Sequence, residues 1–234
     1  MESEPVVFIV DDDASVRKGL ERLVRSVGLR GKTFASAPEF LQCAASDGPS
    51  CLVLDVRMPG VSGLALQETL AAVGHRIPII FITGHGDITM SVRAMKAGAV
   101  DFLPKPLNDQ DLLEAIQGAI ARDQQAREVQ AALQAIQQRV DLLTPREHDV
   151  LGLVVAGLLN KQIAAELGMS EKTVKAHRAQ VMQKMQVSSV AQLVLLAEKV
   201  SLTAPQAYHP WSKVQHRPSS LINFRSDNRV GAQW

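Results

Sequence analysis

Three carboxylates in a row, Asp11, Asp12 and Asp13, close the apolar run "VVFIV" of residues 6–10. Adjacent negative charges repel, and each resists burial unless a cation or a proton compensates it. A metal-binding strand end is one reading of this stretch, and a solvated turn is the plainer one. Polar residues end three later apolar runs as well: Asp55 in "CLVLDV", Thr83 in "IPIIFIT" and Lys105 in "VDFLPK". Hard carboxylate oxygens suit Mg²⁺, which prefers octahedral oxygen ligation and keeps several waters. A carboxylate beside such an ion and a fixed ammonium is placed to attack a phosphoryl group, because the charge developing on the equatorial oxygens is neutralised from two sides. Thr83, followed by Gly84, would offer a hydroxyl and an unshielded backbone N–H to the same oxygens. Taken singly, an Asp after a strand is a turn or a helix cap, and a Lys before Pro is a solvated charge.

A second set of residues lies in "NKQIAAELGMSEKTVKAHRAQVMQKM", which has the layout helix, glycine-containing turn, helix. Advancing about 100° per residue from Val174 puts Val181 and Met185 on its face and Lys172, Lys175, Ala176, Ala179 and Gln183 on the other. Small residues allow close approach to a groove, and lysines supply phosphate or base contacts. On charge alone a solvated basic helix explains the same pattern. Arg178, at about 40° by the same wheel, borders the inward face and would snorkel to a phosphate rather than read bases.

The elements that must position the first set are short continuous apolar runs separated by amphipathic stretches through about residue 120. Such runs, with a weaker one near "GKTFA", fit strands buried on both faces and joined by helical crossovers. The expected fold is α/β, a doubly wound five-stranded parallel sheet, whose site lies beyond the carboxyl ends of the strands. All the polar residues singled out above sit at those ends. From Asn108 to about Leu143 one long helix or two joined ones are expected. Val129, Leu133, Ile136, Val140 and Leu143 form a short heptad seam there, which serves equally a dimerising linker or a helix lying on its own domain.

A second, all-α unit of four helices begins at "TPRE", where Thr144, Pro145 and Glu147 make a capping box. Helices are expected over 145–157, 161–167 with Asn160 as cap, 171–185 with Ser170 as cap, and 189–199. The expected organisation is 1–122, a linker helix over 123–141, the helical unit over 142–200, and a basic, disordered tail over 201–234, with Trp211 or Trp234 as a possible docking anchor.

Charge follows the same division: residues 1–141 carry −4, residues 142–199 carry +2 and residues 200–234 carry +3. An acidic front suits cations, and a basic rear suits a polyanion. No apolar run reaches the roughly 18 residues of a membrane span, and Glu2 and Glu4 stand where a signal peptide would be basic, so a cytoplasmic protein without membrane association is expected. Cys43 and Cys51 lack metal-site spacing and are read as reduced structural cysteines.

The ordered set, acidic pair, "DVRMPGVSG", "IFITGHGD" and "AGAVDFLPKP", closely resembles the receiver domain of two-component response regulators over about residues 4–122. That resemblance implies Asp55 as phosphoacceptor, with Asp12 binding Mg²⁺ directly, Asp11 mainly through water, and the backbone carbonyl of Arg57 as a further ligand. It also implies that Thr83 and Lys105 hold the phosphoryl group and that the Lys105–Pro106 peptide is cis. Asp13 is left as solvated or as a helix cap. Phe102 falls where receivers carry a switching aromatic, so phosphorylation would pull Thr83 toward the phosphate, let the ring turn inward and move the surface from about Ser91 to Lys105, whereas a Phe102 simply packed in the core would not change its exposure. Arg57 and His85 occupy places that tune phosphoryl lifetime in such domains.

Joined to "LTPREHDVLGLVVAGLLNKQIA", the helical pair resembles the LuxR/FixJ-type DNA-binding domain across about 142–199. The positions that carry it are Glu147, Gly157, Asn160, Ile163, Ala164, Leu167, Ser170, Thr173, Val174, His177 and Lys184. The DNA contacts it implies are Lys161, Lys172, Thr173, Lys175, Ala176, His177, Ala179 and Lys184. Together the two resemblances imply a transcription regulator, an activator rather than an enzyme. It would be phosphorylated on Asp55 by a sensor histidine kinase, dimerise, bind promoter DNA and contact RNA polymerase. The alternatives are an Mg²⁺-dependent phosphohydrolase with a helical interaction module, or a regulator that works without phosphorylation.

Overall fold

The computed structural model describes residues 4–42, 46–84 and 88–200. The basic tail over 201–234, with Trp211 and Trp234, and the residues Cys43 and His85 lie outside the described residues. The chain divides into two compact units between Ala132 and Leu133.

In the first unit, five parallel strands run β1 Val6–Val10, β2 Arg30–Phe34, β3 Ser50–Asp55, β4 Ile79–Thr83 and β5 Asp101–Pro104, in the order β2-β1-β3-β4-β5. The three continuous apolar runs are the three central strands, and every residue in them is buried. The weak run "RGKTF" is an edge strand, buried on neither side completely, which is why its apolar signal is faint. Successive side chains point to opposite faces. Phe8, Leu52, Leu54 and Phe81 pack on one side with Leu66 and Leu70, and Val7, Ile9, Val53, Ile80 and Ile82 pack on the other with Leu20, Val24, Leu112 and Ile116. Burying each such side chain contributes roughly 1.5–3 kcal/mol.

The covering helices are α1 Ala14–Ser26, α2 Ala37–Leu41, α3 Gly63–Ala72, α4 Ile88–Lys96 and α5 Asp109–Asp141. Strand order reverses beside β1, where β2 pairs on one side and β3 on the other. That reversal opens a crevice at the carboxyl ends of β1 and β3. At the opposite end of the sheet, the buried Asp123 carboxylate of α5 accepts from the Ser50 backbone N–H at 2.8 Å and from Arg127 Nε at 2.7 Å. Cys51 is wholly buried, and burial, with the Asp123 charge adding to it, pushes its thiol up to about 12. Its burial among core side chains marks it as a structural cysteine.

The second unit holds the end of α5 together with α6 Pro145–Val155, α7 Asn160–Leu167, α8 Glu171–Lys184 and α9 Val190–Lys199. The capping box is present: the Thr144 N–H donates to Glu147 Oε2 at 2.8 Å and the Glu147 N–H to Thr144 Oγ at 3.3 Å. Asn160 is not the cap of α7. Leu159 holds that position, and its N–H donates to the Gln162 side chain at 2.8 Å, because the Asn160 amide oxygen is engaged elsewhere.

The heptad seam resolves into a helix packed on its own domain. Ile136 and Val140 are buried with Val150, Leu151, Ile163, Val181 and Met185, and Leu143 packs against them. Two of the five seam positions are thereby buried inside one subunit, while Val129 stays exposed. The segment expected as a separate linker, 123–141, is thus shared between the two units. No helix among the described residues is long and apolar enough to cross a membrane.

Candidate phosphoacceptor pocket and DNA-facing helix

Parallel pairing puts the ends of the strands at one edge. Val10 lies opposite Leu54, Asp55 opposite Ile82, and Thr83 opposite Pro104. The residue that follows or ends each strand therefore arrives in the same crevice: Asp11 after β1, Asp55 in β3, Thr83 in β4 and Lys105 after β5. Lys105 Nζ bridges the two buried carboxylates, 2.7 Å from Asp11 Oδ2 and 3.2 Å from Asp55 Oδ1. Its own backbone N–H donates to the Thr83 carbonyl at 2.7 Å, and the Lys105–Pro106 peptide is cis. Thr83 is buried, and its side chain stands one residue before Gly84.

Close approach of the loop after β3 depends on Gly63. A Cβ there would stand 2.3 Å from the Asp55 carbonyl oxygen and 3.1 Å from the Phe81 ring. The Gly63 N–H donates to the Val56 carbonyl at 3.0 Å, so α3 starts directly beneath the acceptor strand. Phe102 is half-buried against the same core, its ring 6.2 Å from that of Phe81. Arg57 lies exposed two residues after Asp55.

The three opening carboxylates separate by role. Asp11 is fully buried and salt-bridged to Lys105, while Asp12 is exposed. Asp13 is the N-cap of α1, accepting from the Ser15 N–H at 2.7 Å and the Val16 N–H at 3.4 Å. The Ser15 hydroxyl and these two backbone donors hold the Asp13 carboxyl below its ordinary range. Sequence reasoning missed Arg17, whose Nη1 donates to the Asp11 carbonyl at 2.6 Å and to the Asp12 carbonyl at 2.9 Å. A legible signal existed, because a cation near a helix N-terminus opposes the macrodipole and calls for a local anionic partner.

Electrostatics in the pocket run against full ionisation. Burial raises the proton affinity of Asp55, Lys105 opposes that rise, and the neighbouring charges of Asp11 and Asp12 add to it. Burial alone would lower the pKa of Lys105, but Asp11 and Asp55 hold it above its ordinary value. Three neighbouring carboxylates thus meet one ammonium, an excess of negative charge on hard oxygens that fits a divalent cation. Among the described residues no three His, Cys, Asp or Glu side chains gather as a metal group. A cation held here would take Asp12, Asp55 and the Arg57 carbonyl as ligands and complete its shell from water. Mg²⁺ accepts that arrangement more readily than Zn²⁺ does.

In the second unit, Ser170 caps α8, its Oγ accepting from the Thr173 N–H at 3.1 Å. Val174, Val181 and Met185 are buried as the helical wheel required, and Lys172, Thr173, Lys175, Ala176 and Ala179 are exposed, with His177 half-buried. Lys161, at the start of α7, is exposed too. The Thr173 hydroxyl shares a 2.8 Å hydrogen bond with Ser170 Oγ, so it also serves the cap.

Two of the basic side chains named above have partners within the unit. Lys184 has partners inside its own unit: its Nζ lies 2.6 Å from Glu147 Oε2 and 3.2 Å from the Leu142 carbonyl, tying the end of α8 to the start of α6. Arg178 Nη1 donates to Asn160 Oδ1 at 2.8 Å and links α7 to α8. Both partners lie in other helices, which a one-helix projection cannot show. Salt dependence of DNA binding separates these lysines. Lys172→Ala is expected to lower the slope of log affinity against log salt by about one, and Lys184→Ala to leave it unchanged while lowering thermal stability.

Comparison with known proteins agrees with both units. Residues 7–117 match the response regulator receiver domain, and residues 141–197 match the bacterial regulatory proteins of the luxR family. Nodulation protein W of Bradyrhizobium diazoefficiens is 52% identical over 202 residues, which is 86% of this chain and 89% of that protein. The transcriptional regulatory protein FixJ of the same organism is 41% identical over 84% of this chain and 96% of its own length. Among solved structures, the response regulator StyR is similar with a TM-score of 0.77 at 52% identity, covering 84% of this chain and all (100%) of that one. Full-length FixJ from B. japonicum gives a TM-score of 0.52 at 41% identity over 86% of this chain and 98% of that one. With a receiver sheet carrying Asp55 beside Lys105, followed along the chain by a LuxR-type helix-turn-helix, the chain belongs to the FixJ-type response regulators, phosphorylation-dependent regulators of transcription.

Proposed function

We propose that this chain is a cytoplasmic transcription activator that takes one phosphoryl group on Asp55 from a sensor histidine kinase, dimerises and binds a promoter with two half-sites. The observation that carries the reading is the Lys105 ammonium held on Asp55 and Asp11 at the topological switch point. In the transfer, an Asp55 carboxylate oxygen forms the new P–O bond while the P–N bond of the kinase phosphohistidine breaks, and the imidazole leaves with a proton. Lys105 neutralises charge on the phosphoryl oxygens, and the Thr83 hydroxyl turns toward them. A Mg²⁺ ion on Asp12, Asp55 and the Arg57 carbonyl would supply further neutralisation and relieve the carboxylate repulsion. The chain is a stoichiometric acceptor rather than an enzyme, one phosphoryl group per chain.

Dimer contacts fall to the surface from about Ser91 to Lys105. On α4, Ile88, Val92 and Met95 are 83%, 45% and 44% exposed at helical spacing, an apolar stripe beside β5 and the half-buried Phe102. Burial of Ile136 and Val140 in the core of their own unit favours this surface over the 129–143 seam. Two-fold pairing of receivers would set two recognition helices on two half-sites, from which the activator would contact RNA polymerase.

The test is sedimentation and promoter-fragment titration of the full chain, with and without Mg²⁺ and beryllofluoride. Dimerisation and tighter DNA binding that require both additions are expected. A protein that stays monomeric and binds DNA equally throughout sinks the proposal, and multiple turnover of phosphate esters would replace it with a hydrolase.

A further inference from the structure

We propose that Arg17 is a positioning residue for the cation side of the phosphoacceptor pocket, an inference that rests on the reading of that pocket given above. Arg17 stands in the opening turn of α1, and its backbone N–H donates to the Asp13 carbonyl at 3.0 Å. From there the half-buried side chain turns back toward the helix start, and one nitrogen, Nη1, donates to the carbonyls of both Asp11 and Asp12. Those two carbonyls belong to successive peptide units. The two planes flank the Asp12 Cα, so holding both from one point fixes the direction in which the Asp12 side chain leaves the backbone.

The rest of the loop is tied by the Asp13 N–H on Asp11 Oδ1 at 2.8 Å, a bond that orients Asp11 but leaves Asp12 to the backbone alone. Asp12 is the exposed carboxylate of the trio and the one assigned a direct ligand role, so its aim depends on the brace. The placement opposes the helix macrodipole, and a guanidinium beside a cation site would by charge alone weaken cation binding. Geometry and charge therefore predict opposite outcomes when Arg17 is removed. Groups that orient metal ligands from behind typically contribute 10–100-fold in affinity.

Calorimetric titration of the full chain with MgCl₂ decides between them. Arg17→Ala is expected to bind Mg²⁺ about ten-fold more weakly than wild type, the lower end of that range. Arg17→Lys, which keeps the charge and can reach one carbonyl, is expected to fall between the two. Unchanged or tighter binding by Arg17→Ala overturns the brace, as does Arg17→Lys binding more weakly than Arg17→Ala. Thermal unfolding without Mg²⁺ is expected to be alike for wild type and Arg17→Lys, so that a loss of affinity in the latter is not a loss of fold. Wild type that takes up no Mg²⁺ at all would overturn the pocket reading itself and the brace with it, an outcome distinct from a brace that fails alone.

Discussion

Asp55→Asn is expected to remove phosphoryl acceptance while leaving the receiver as stable as before, or more so. The amide keeps the shape and a hydrogen-bond acceptor for Lys105, but lacks the nucleophilic carboxylate oxygen. Losing a nucleophile on this scale costs on the order of 10³-fold or more. Radiolabelled phosphoryl transfer from a phosphorylated kinase or a small-molecule donor measures it directly. Stability follows from the sign of the Asp55 shift. Its folded pKa is raised, so the folded state binds its proton more tightly than the unfolded chain, and stability falls as pH rises from the ordinary carboxylate range through the folded value. At neutral pH the charged side chain therefore weakens the fold, and the neutral amide removes that penalty. Lys105 retains Asp11 as its partner. Without Mg²⁺ the variant should unfold at an equal or higher temperature than wild type, and added Mg²⁺ should raise its unfolding temperature less. Label incorporation at the wild-type level would move the acceptor to another carboxylate.

Glu147→Ala is expected to cost the DNA-binding unit about 3 kcal/mol, the sum of a lost capping box and a part-buried ion pair broken on one side. Glu147 is 5% exposed and holds two groups together, the Thr144 N–H and the Lys184 ammonium. Alanine leaves Lys184 with only the Leu142 carbonyl. Glu147→Gln can still accept from Thr144 and should lose less than half as much. The Lys184 hydrogen bond, followed by the Thr144 N–H, holds the Glu147 carboxyl below its ordinary value of 4.5. A lowered carboxylate pKa contributes stability that is present above 4.5 and lost as pH falls through the folded value. Thermal unfolding of the second unit from pH 5 downward, wild type against Glu147→Gln, measures the contribution. Equal slopes for the two proteins would show that the pair contributes nothing.

Much of the receiver is legible from residue types alone. Strands buried on both faces leave uninterrupted apolar runs, and polar residues that end such runs are visible as exceptions. The sheet order then brings Asp11, Asp55 and Lys105 together although Asp11 and Lys105 stand 94 residues apart. The inward face of α8 was equally legible, since Val174, Val181 and Met185 repeat with the helix period. Side-chain partners were not. Lys184 was a DNA contact by resemblance, and neither that resemblance nor a helical wheel shows the Glu147 carboxylate that reaches it from 37 residues away. Arg178 and Asn160, 18 residues apart, escaped for the same reason.

By itself, then, the sequence determined the two-domain plan, the placement of polar residues at the strand ends and the cap at Thr144, because each follows from local periodicity and from residue types at element boundaries. The tertiary structure alone decided that Ile136 and Val140 close the core of their own unit, that Asp13 caps α1 while Arg17 donates to the Asp11 and Asp12 carbonyls, and that Lys184 is an ion-pair partner. Those outcomes depend on which surfaces of distant segments meet, and a pattern of period 3.6 or 2 records that a face is buried without recording against what.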